Sequence, residues 1–145
     1  MNAGHDRLAA MADVTYVEYP QEDLQALSFP DRSFDLVITS DTLEHVPDWR
    51  AGLRETQRIL RPGGRHVFTV PTRPDLEHTR SRDGMPPIYH GEAPGPLKLV
   101  HRATDDNRLL TDFGRDFVPI VAAFGFAVET RGSGVETVFV ARKGT

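Results

Sequence analysis

The chain has 145 residues, 39% hydrophobic and 26% charged, which is the composition of one globular domain. Its formal net charge of -4 speaks against a nucleic-acid backbone as main partner, because phosphate contacts require a basic excess. The absence of cysteine excludes disulfides, thiolate metal sites and cysteine nucleophiles. No apolar stretch approaches the length of a membrane span and the N-terminus has no signal-peptide core, so a cytoplasmic protein without a membrane partner is expected.

The first third of the chain predicts a short helix, two strands and a loop. The helix covers 6–13, and alternating β-branched and aromatic residues predict a strand over 14–19, ended by Pro20. A loop over 23–33 follows. Residues 34–40 form the strongest predicted strand, whose continuous Leu-Val-Ile run is typical of a parallel strand covered on both faces.

A helix and a further strand complete a strand-helix-strand unit. Asp48 is a plausible N-cap for a helix with one apolar stripe, and its opposite face carries charged residues that include Glu55 and Arg58. Pro62-Gly63-Gly64 is expected to end this helix before a strand over 65–70. Such a unit is right-handed and builds a parallel sheet.

The second half begins with a long segment of irregular composition. Residues 72–110 are rich in proline and glycine, which indicates a lid or a substrate-binding insertion. Thr111-Asp112 is the expected cap of a helix that Pro119 kinks or splits and that Gly125 ends. Strands over 126–130 and 136–142 then predict an antiparallel hairpin.

Four linked motifs identify a family. In chain order they are Glu22-Asp23 ahead of Leu27-Ser28-Phe29-Pro30-Asp31, Ser33-Phe34-Asp35-Leu36-Val37-Ile38, Leu43-Glu44-His45-Val46, and Arg58-Ile59-Leu60-Arg61-Pro62-Gly63-Gly64. This string resembles the small "type 11" class I S-adenosylmethionine-dependent methyltransferases. The resemblance implies an α/β fold, a partial Rossmann-like three-layer sheet with a C-terminal antiparallel hairpin. It also implies S-adenosyl-L-methionine as cofactor and methyl transfer to a small-molecule acceptor.

The resemblance also implies roles for four cofactor-binding residues. Asp23 would accept a hydrogen bond from the adenine amino group, and the Leu24 amide would meet an adenine ring nitrogen; the alternative is an ordinary loop carboxylate. Ser40 and Asp41 follow the strongest strand, where ligands of open α/β sheets collect, and would lie near the methionine part of the cofactor. The alternative for this pair is a simple turn cap.

The candidate catalytic residue is His45. An imidazole suits the removal of a proton from an oxygen or nitrogen acceptor. The alternatives are a packing role and catalysis by proximity alone. In the insertion, Tyr89 and His90 are the candidate substrate-lid residues, whereas a zinc site is disfavoured because His78, His90 and His101 are eleven or twelve residues apart.

A full domain of this family opens with a glycine-rich strand-loop-helix, and the only glycine before Gly52 is Gly4. Residues 1–145 are therefore expected to be a single, N-terminally shortened methyltransferase domain with an open sheet edge beside 34–40. Weak cofactor binding follows, and the chain is expected either to self-associate through that edge or to be a fragment of a longer product. The competing hypotheses are a non-catalytic dimerisation or binding module and, less well supported by the motifs, a nicotinamide-dependent oxidoreductase.

Overall fold

The computed structural model describes residues 3–11, 13–88, 108–134 and 137–145. It contains three α-helices, one 3-10 helix and six strands within these ranges. In chain order they are α1 (Ala3–Met11), β1 (Phe34–Ser40), the 3-10 helix Leu43–His45, α2 (Trp49–Ile59), β2 (Leu60–Thr69), β3 (Arg80–Ser81), β4 (Thr111–Asp112), α3 (Phe117–Ala123), β5 (Phe126–Arg131) and β6 (Val138–Lys143).

Four of the strands form one mixed sheet in the order β1-β2-β6-β5. Strands β1 and β2 are parallel and are joined through α2, which confirms the predicted strand-helix-strand unit. Strands β5 and β6 form the predicted antiparallel hairpin, and β6 pairs with β2, so the hairpin extends the sheet with reversed strand direction. The predicted α/β fold class is confirmed.

One face of the sheet carries the hydrophobic core. Phe68 of β2 stacks on Phe139 of β6 with ring centroids 5.3 Å apart, and Phe117 of α3 packs edge-on against both rings. Trp49 of α2 contacts Phe117, so α2 and α3 lie on this same face. Burial of such aromatic and aliphatic side chains supplies most of the driving force for folding.

The opposite face is partly open along β1. Leu36 and Ile38 point there and remain 46% and 50% exposed. The expectation that β1 is covered on both faces is therefore wrong for the described residues. Within them, no strand pairs with the outer edge of β1, which has only β2 as a neighbour. The second helical layer of a three-layer fold is not complete over these two side chains.

The predicted strand over 14–19 is wrong. These residues belong to none of the β-ladders in the described part of the chain, and Tyr16, Val17 and Tyr19 are all about half exposed or more. Strand propensity largely reflects packing against neighbours on a sheet, and this segment has none. The predicted helix over 6–13 does form, shifted to Ala3–Met11.

Helix α2 begins as predicted and ends earlier than predicted. The Asp48 carboxylate accepts a hydrogen bond from the Ala51 amide, which confirms the N-cap. The helix stops at Ile59, because Leu60 adopts extended backbone angles and is fully buried in β2. Gly64 lies within this strand, where a Cβ atom would come within 3.0 Å of the Asp35 carbonyl oxygen. The Pro-Gly-Gly motif thus forms an irregularity in β2 rather than the helix stop.

The start of α3 also differs from the prediction. Thr111-Asp112 is strand β4, which pairs with Arg80–Ser81 of β3, so it does not cap a helix. The helix begins at Phe117 and places Pro119 in its first turn, where the missing amide hydrogen is not needed and no kink results. Gly125 follows the helix with φ of +92°, as expected for its end. None of the helices in the described ranges has the length and apolar content needed to cross a membrane.

His66 of β2 makes folding stability dependent on pH. Its side chain is fully buried, with Nε2 2.9 Å from the Thr39 hydroxyl, and burial lowers its pKa to about 3. The unfolded ring takes up a proton below about pH 6.5. Between that pH and 3 the unfolded state binds more protons, so stability falls as the pH decreases. We expect the free energy of unfolding to drop by up to about 5 kcal/mol across this window.

Denaturant unfolding at a series of pH values measures this loss. The His66→Gln variant removes the titrating ring and should flatten the pH dependence, whereas His78→Gln, at a side chain that is 77% exposed, should not. An unchanged slope in the His66→Gln variant would contradict the assignment.

Candidate cofactor and acceptor site

The site candidates gather at the carboxyl ends of the parallel strands β1 and β2. Asp41 directly follows β1 and has a φ of +46°, an uncommon left-handed conformation for a residue other than glycine. Its amide lies 3.1 Å from both the carbonyl and the hydroxyl oxygen of Thr69, and the hydroxyl donates back to the Asp41 carboxylate at 3.2 Å. Ser40 Oγ lies 3.3 Å from the same hydroxyl. Ser40 and Asp41 therefore do cap the turn after β1, and their hydrogen bonds to Thr69 fix the shape of this edge of the candidate site.

The next residues place a buried carboxyl beside the rim. Glu44 lies in the 3-10 helix with a fully buried side chain, and its main-chain carbonyl accepts a hydrogen bond from the Leu110 amide at 2.8 Å. Burial raises the pKa of Glu44 to about 7; the nearby Asp41 adds to this rise, and a backbone hydrogen bond and His45 oppose it. A carboxyl group that titrates near neutrality is typical of functional sites.

His45 is held in one tautomer by the last residues of the insertion. Its Nδ1 lies 2.7 Å from the carbonyl oxygen of Arg108. A carbonyl only accepts hydrogen bonds, so Nδ1 carries the proton and Nε2 of the neutral ring presents a lone pair. Nε2 lies 3.7 Å from a carboxylate oxygen of Glu44. The Nδ1 contact thus fixes the orientation of the ring.

The loop that contains Asp23 and Leu24 is built on local contacts. The Asp23 carboxylate accepts three hydrogen bonds from Gln25, one from the main-chain amide at 2.9 Å and two from the side-chain amide at 3.2 and 3.3 Å. Asp23 therefore does act as an ordinary loop carboxylate that stabilises its own turn. A carboxylate has about four acceptor positions, so one remains for a ligand. Leu24 packs over Gly52 of α2, where an added Cβ atom would lie 3.2 Å from Leu24 and 3.4 Å from Leu43.

The structure thus brings most of the predicted residues to one region. Leu24 reaches the start of the 3-10 helix through Gly52 and Leu43, and Ser40, Asp41 and His45 surround the same turn. Tyr89 and His90 lie outside the described residues. Within the described ranges, no group of histidine and acidic side chains is arranged to hold a metal ion.

Sequence reasoning missed Arg58, which was assigned only to the charged face of α2. All five of its N–H groups donate: two to the Glu55 carboxylate at 2.9 Å, one each to the Phe29 and Leu27 carbonyls at 2.8 and 3.0 Å, and one to Asp31 at 2.8 Å. Glu55 in turn accepts from the Leu27 amide at 2.7 Å. We call these contacts the Arg58 network. The signal for it was present, because Arg58 and Leu27–Asp31 belong to separate motifs of the same string.

Comparison with known proteins agrees with this architecture. Residues 3–68 match a family model described as a methyltransferase domain. The ubiquinone/menaquinone biosynthesis C-methyltransferase UbiE of Hahella chejuensis is 48% identical over 61 residues, which are 40% of this chain and 24% of that protein. The UbiE of Enterobacter sp. is 36% identical over 77 residues, 53% of this chain and 31% of that protein. The chain thus matches about a quarter to a third of the length of these curated relatives.

A solved structure extends the comparison to almost the whole chain. The S-adenosylmethionine-dependent methyltransferase of Mesorhizobium loti superimposes with a TM-score of 0.56 over 96% of this chain and 75% of that one, at 22% identity. At this identity the likeness shows the fold alone. The fold class is that of Rossmann-like methyltransferases. Residues 3–68 thus resemble the methyltransferase domain family in sequence, and the fold of almost the whole chain is that of class I S-adenosylmethionine-dependent methyltransferases.

The Arg58 network predicts which substitutions of α2 loosen the adjoining loop. Arg58→Ala removes two hydrogen bonds from the Glu55 carboxylate and one from each of two loop carbonyls, so the midpoint of thermal unfolding should fall. The midpoint of the Arg58→Lys variant should fall by less, because an ammonium group can replace only some of the five N–H donors of the planar guanidinium. Thermal unfolding by circular dichroism, with limited proteolysis at 21–31, measures both effects.

The matched control is Arg54→Ala on the same helix. Arg54 lies 3.5 Å from Asp48, and both side chains are more than half exposed, so its midpoint should stay unchanged. Equal losses in the Arg54 and Arg58 variants would show that the network is not what holds the loop.

Proposed function

We propose that the protein is an enzyme domain that transfers a methyl group from S-adenosylmethionine to a small-molecule acceptor. One observation carries the proposal. The carboxyl edge of β1 and β2 gathers the fixed Asp41 turn, the buried Glu44 and a His45 ring that the Arg108 carbonyl holds through Nδ1. All three residues belong to the stretch that matches the methyltransferase model.

The described residues fit part of the cofactor. Asp23 has one acceptor position left beside Gln25, which suits the adenine amino group, and Leu24 offers an apolar surface next to it. Ser40 and Asp41 would line the methionine side. When bound, S-adenosylmethionine would supply a methyl group on a sulfonium centre, from which the neutral thioether S-adenosylhomocysteine is a good leaving group. A Burkholderia thailandensis N1-methyltransferase of the same fold, at 18% identity and a TM-score of 0.50, has been crystallised with S-adenosylhomocysteine.

The chain's own residues would then orient the acceptor and remove its proton. Nε2 of His45 accepts that proton, and its Nδ1–H remains bonded to the Arg108 carbonyl, which keeps the ring in place. Glu44 stabilises the resulting imidazolium from 3.7 Å when it is ionised. In-line positioning supplies much of the rate enhancement, a contribution that can reach about 7–11 kcal/mol. Tyr89 and His90 of the insertion are assigned as lid residues on the acceptor side.

We further propose that these 145 residues bind the donor weakly. No glycine-rich loop stands in the sequence before Gly52, so the amides and the ribose carboxylate that such a loop and its neighbouring strand provide are not available here. Losing two charge-assisted hydrogen bonds weakens binding by on the order of 10² to 10⁴.

Titration with S-adenosylmethionine and S-adenosylhomocysteine, followed by NMR and calorimetry, tests this proposal. We expect millimolar-range binding with shifted amide signals at 23–27 and 40–45, and no such shifts with NAD. Asp23→Asn should weaken binding further, because an amide donor can then face the adenine amino group. The exposed Asp83→Asn is the matched control. His45→Gln should leave donor binding unchanged and abolish methyl transfer to any acceptor that is turned over.

The outcomes separate the parts of the proposal. Tight stoichiometric binding would refute the weak-donor proposal and support the enzyme. The absence of amide shifts with both S-adenosylmethionine and S-adenosylhomocysteine at high millimolar concentration would overturn the methyltransferase assignment. Unchanged turnover in His45→Gln would show that His45 is not the base.

A second candidate function is a non-catalytic dimerisation or binding module. The observation in its favour is β1, whose outer edge has no partner among the described residues and whose Leu36 and Ile38 side chains are half exposed. An open apolar edge is a template for pairing with another chain.

Sedimentation velocity tests whether β1 mediates self-association. We expect a concentration-dependent dimer that Ile38→Lys abolishes, because a charge on this face is repelled by its copy and opposes close pairing. Glu129→Lys on the far hairpin is the control and should leave the dimer intact. A monodisperse monomer at all concentrations would refute pairing through this edge.

A further inference from the structure

A cavity outside the residues already assigned lies beyond the carboxyl end of β2. Its volume is about 170 Å³, and it is lined by Thr72, Arg73, Pro74, Gly114, Arg115, Phe117, Val118 and Phe139. Phe117 and Phe139 form an apolar floor and belong to the core. Pockets for drug-sized ligands measure about 300–1,000 Å³, so this cavity suits a smaller, single-ring molecule.

The walls of the cavity are held by main-chain hydrogen bonds. The Arg73 amide donates to the Phe113 carbonyl at 2.7 Å, and the Arg115 amide donates to the Leu76 carbonyl at 2.9 Å. Gly114 packs so closely against His78 that an added Cβ atom would come within 2.6 Å of its carbonyl carbon. The opening is therefore preformed, which lowers the entropic cost of binding.

The charges around the cavity are asymmetric. The lining contains two arginines and no acidic residue. Arg73 is engaged with Asp75 through two hydrogen bonds of 2.7 and 2.9 Å. For Arg115, no carboxylate in the described part of the chain lies within ion-pair distance, and the neighbouring Asp116 carboxylate is bonded to Thr79 instead. Arg115 is exposed, and its guanidinium is available to an incoming anion.

We infer that this cavity binds the methyl acceptor, and that the acceptor is a small planar molecule with an apolar ring and a carboxylate. The ring would rest on Phe117 and Phe139, and the carboxylate would face the guanidinium of Arg115, whose planar fork matches two carboxylate oxygens. The inference deepens the proposed function, and the identification of the ligand as a methyl acceptor rests on that function. The binding site itself does not depend on methyl transfer.

The position of the cavity agrees with such a role. Thr72 follows Thr69 by three residues, and Thr69 is hydrogen-bonded to the Asp41 turn. Three extended residues span at most about 11 Å, so the cavity opens within the length of a small molecule from the rim of the cofactor site.

Binding of benzoate to the whole chain, measured by NMR without any donor, tests the inference. The matched neutral probe is benzamide, which has the same ring and size. Benzoate should shift the amide signals of Thr72, Gly114 and Val118, with benzamide at least about tenfold weaker. Arg115→Gln should remove this preference, whereas Arg131→Gln, an exposed arginine paired with Glu129 on the hairpin, should keep it.

Each outcome decides a separate point. Equal affinity for both probes would overturn the carboxylate assignment, and shifts confined to other regions would overturn the site. Val118→Trp fills the cavity without altering charge and should abolish binding while the hairpin signals persist. If benzoate does not bind but S-adenosylmethionine does, the cavity inference is refuted and the proposed function stands. If benzoate binds but S-adenosylmethionine does not, the proposed function is refuted and the cavity remains a carboxylate-binding site.

Discussion

The Arg58 network is the constraint from which the rest of the site follows. One guanidinium satisfies the Leu27 and Phe29 carbonyls, the Asp31 carboxylate and Glu55, and so joins α2 to the loop that enters β1. That loop also carries Asp23 and Leu24, and its packing over Gly52 sets their distance from the 3-10 helix. Motifs that are separate in the sequence therefore form one structural unit, because the side chains of one motif make hydrogen bonds to the main chain of another.

Elements with local signals were predicted correctly. The continuous apolar run of β1, the Asp48 cap and the glycine turn of the hairpin act within a few residues, so the sequence contains their cause. Elements that depend on partners distant in the sequence were predicted wrongly. Residues 14–19 have strand-forming side chains and no neighbouring strand, and α2 ends where Leu60 finds burial in the sheet rather than where Pro62 would stop it. Thr111-Asp112 resembles a cap and instead pairs with Arg80–Ser81.

The same division applies to the candidate site. The motif string singles out Asp23, Leu24, Ser40, Asp41 and His45 as candidates, but it does not say what holds them. The tautomer of His45 depends on a carbonyl 63 residues away, and the acceptor capacity of Asp23 depends on how Gln25 folds back. Arg115 carried no motif at all. It became a candidate only because the chain brings Arg115 and Phe139 to the same cavity and the Asp116 carboxylate is bonded to Thr79.

Two of the buried titratable groups among the described residues, His66 and Glu44, differ in what they do for the fold. His66 is kept neutral within the sheet, far from its ordinary pKa, and its hydrogen bond to Thr39 only supports packing. Glu44 is equally buried, but its pKa of about 7 means that the folded chain must ionise a buried carboxyl near neutral pH. Between about pH 4.5 and 7 the folded state holds more protons than the unfolded state, so this carboxyl costs stability as the pH rises. A structural role alone would be served as well by an uncharged side chain. A buried carboxyl whose ionisation costs stability, beside an imidazole held by the Arg108 carbonyl, is consistent with the role in proton transfer proposed above.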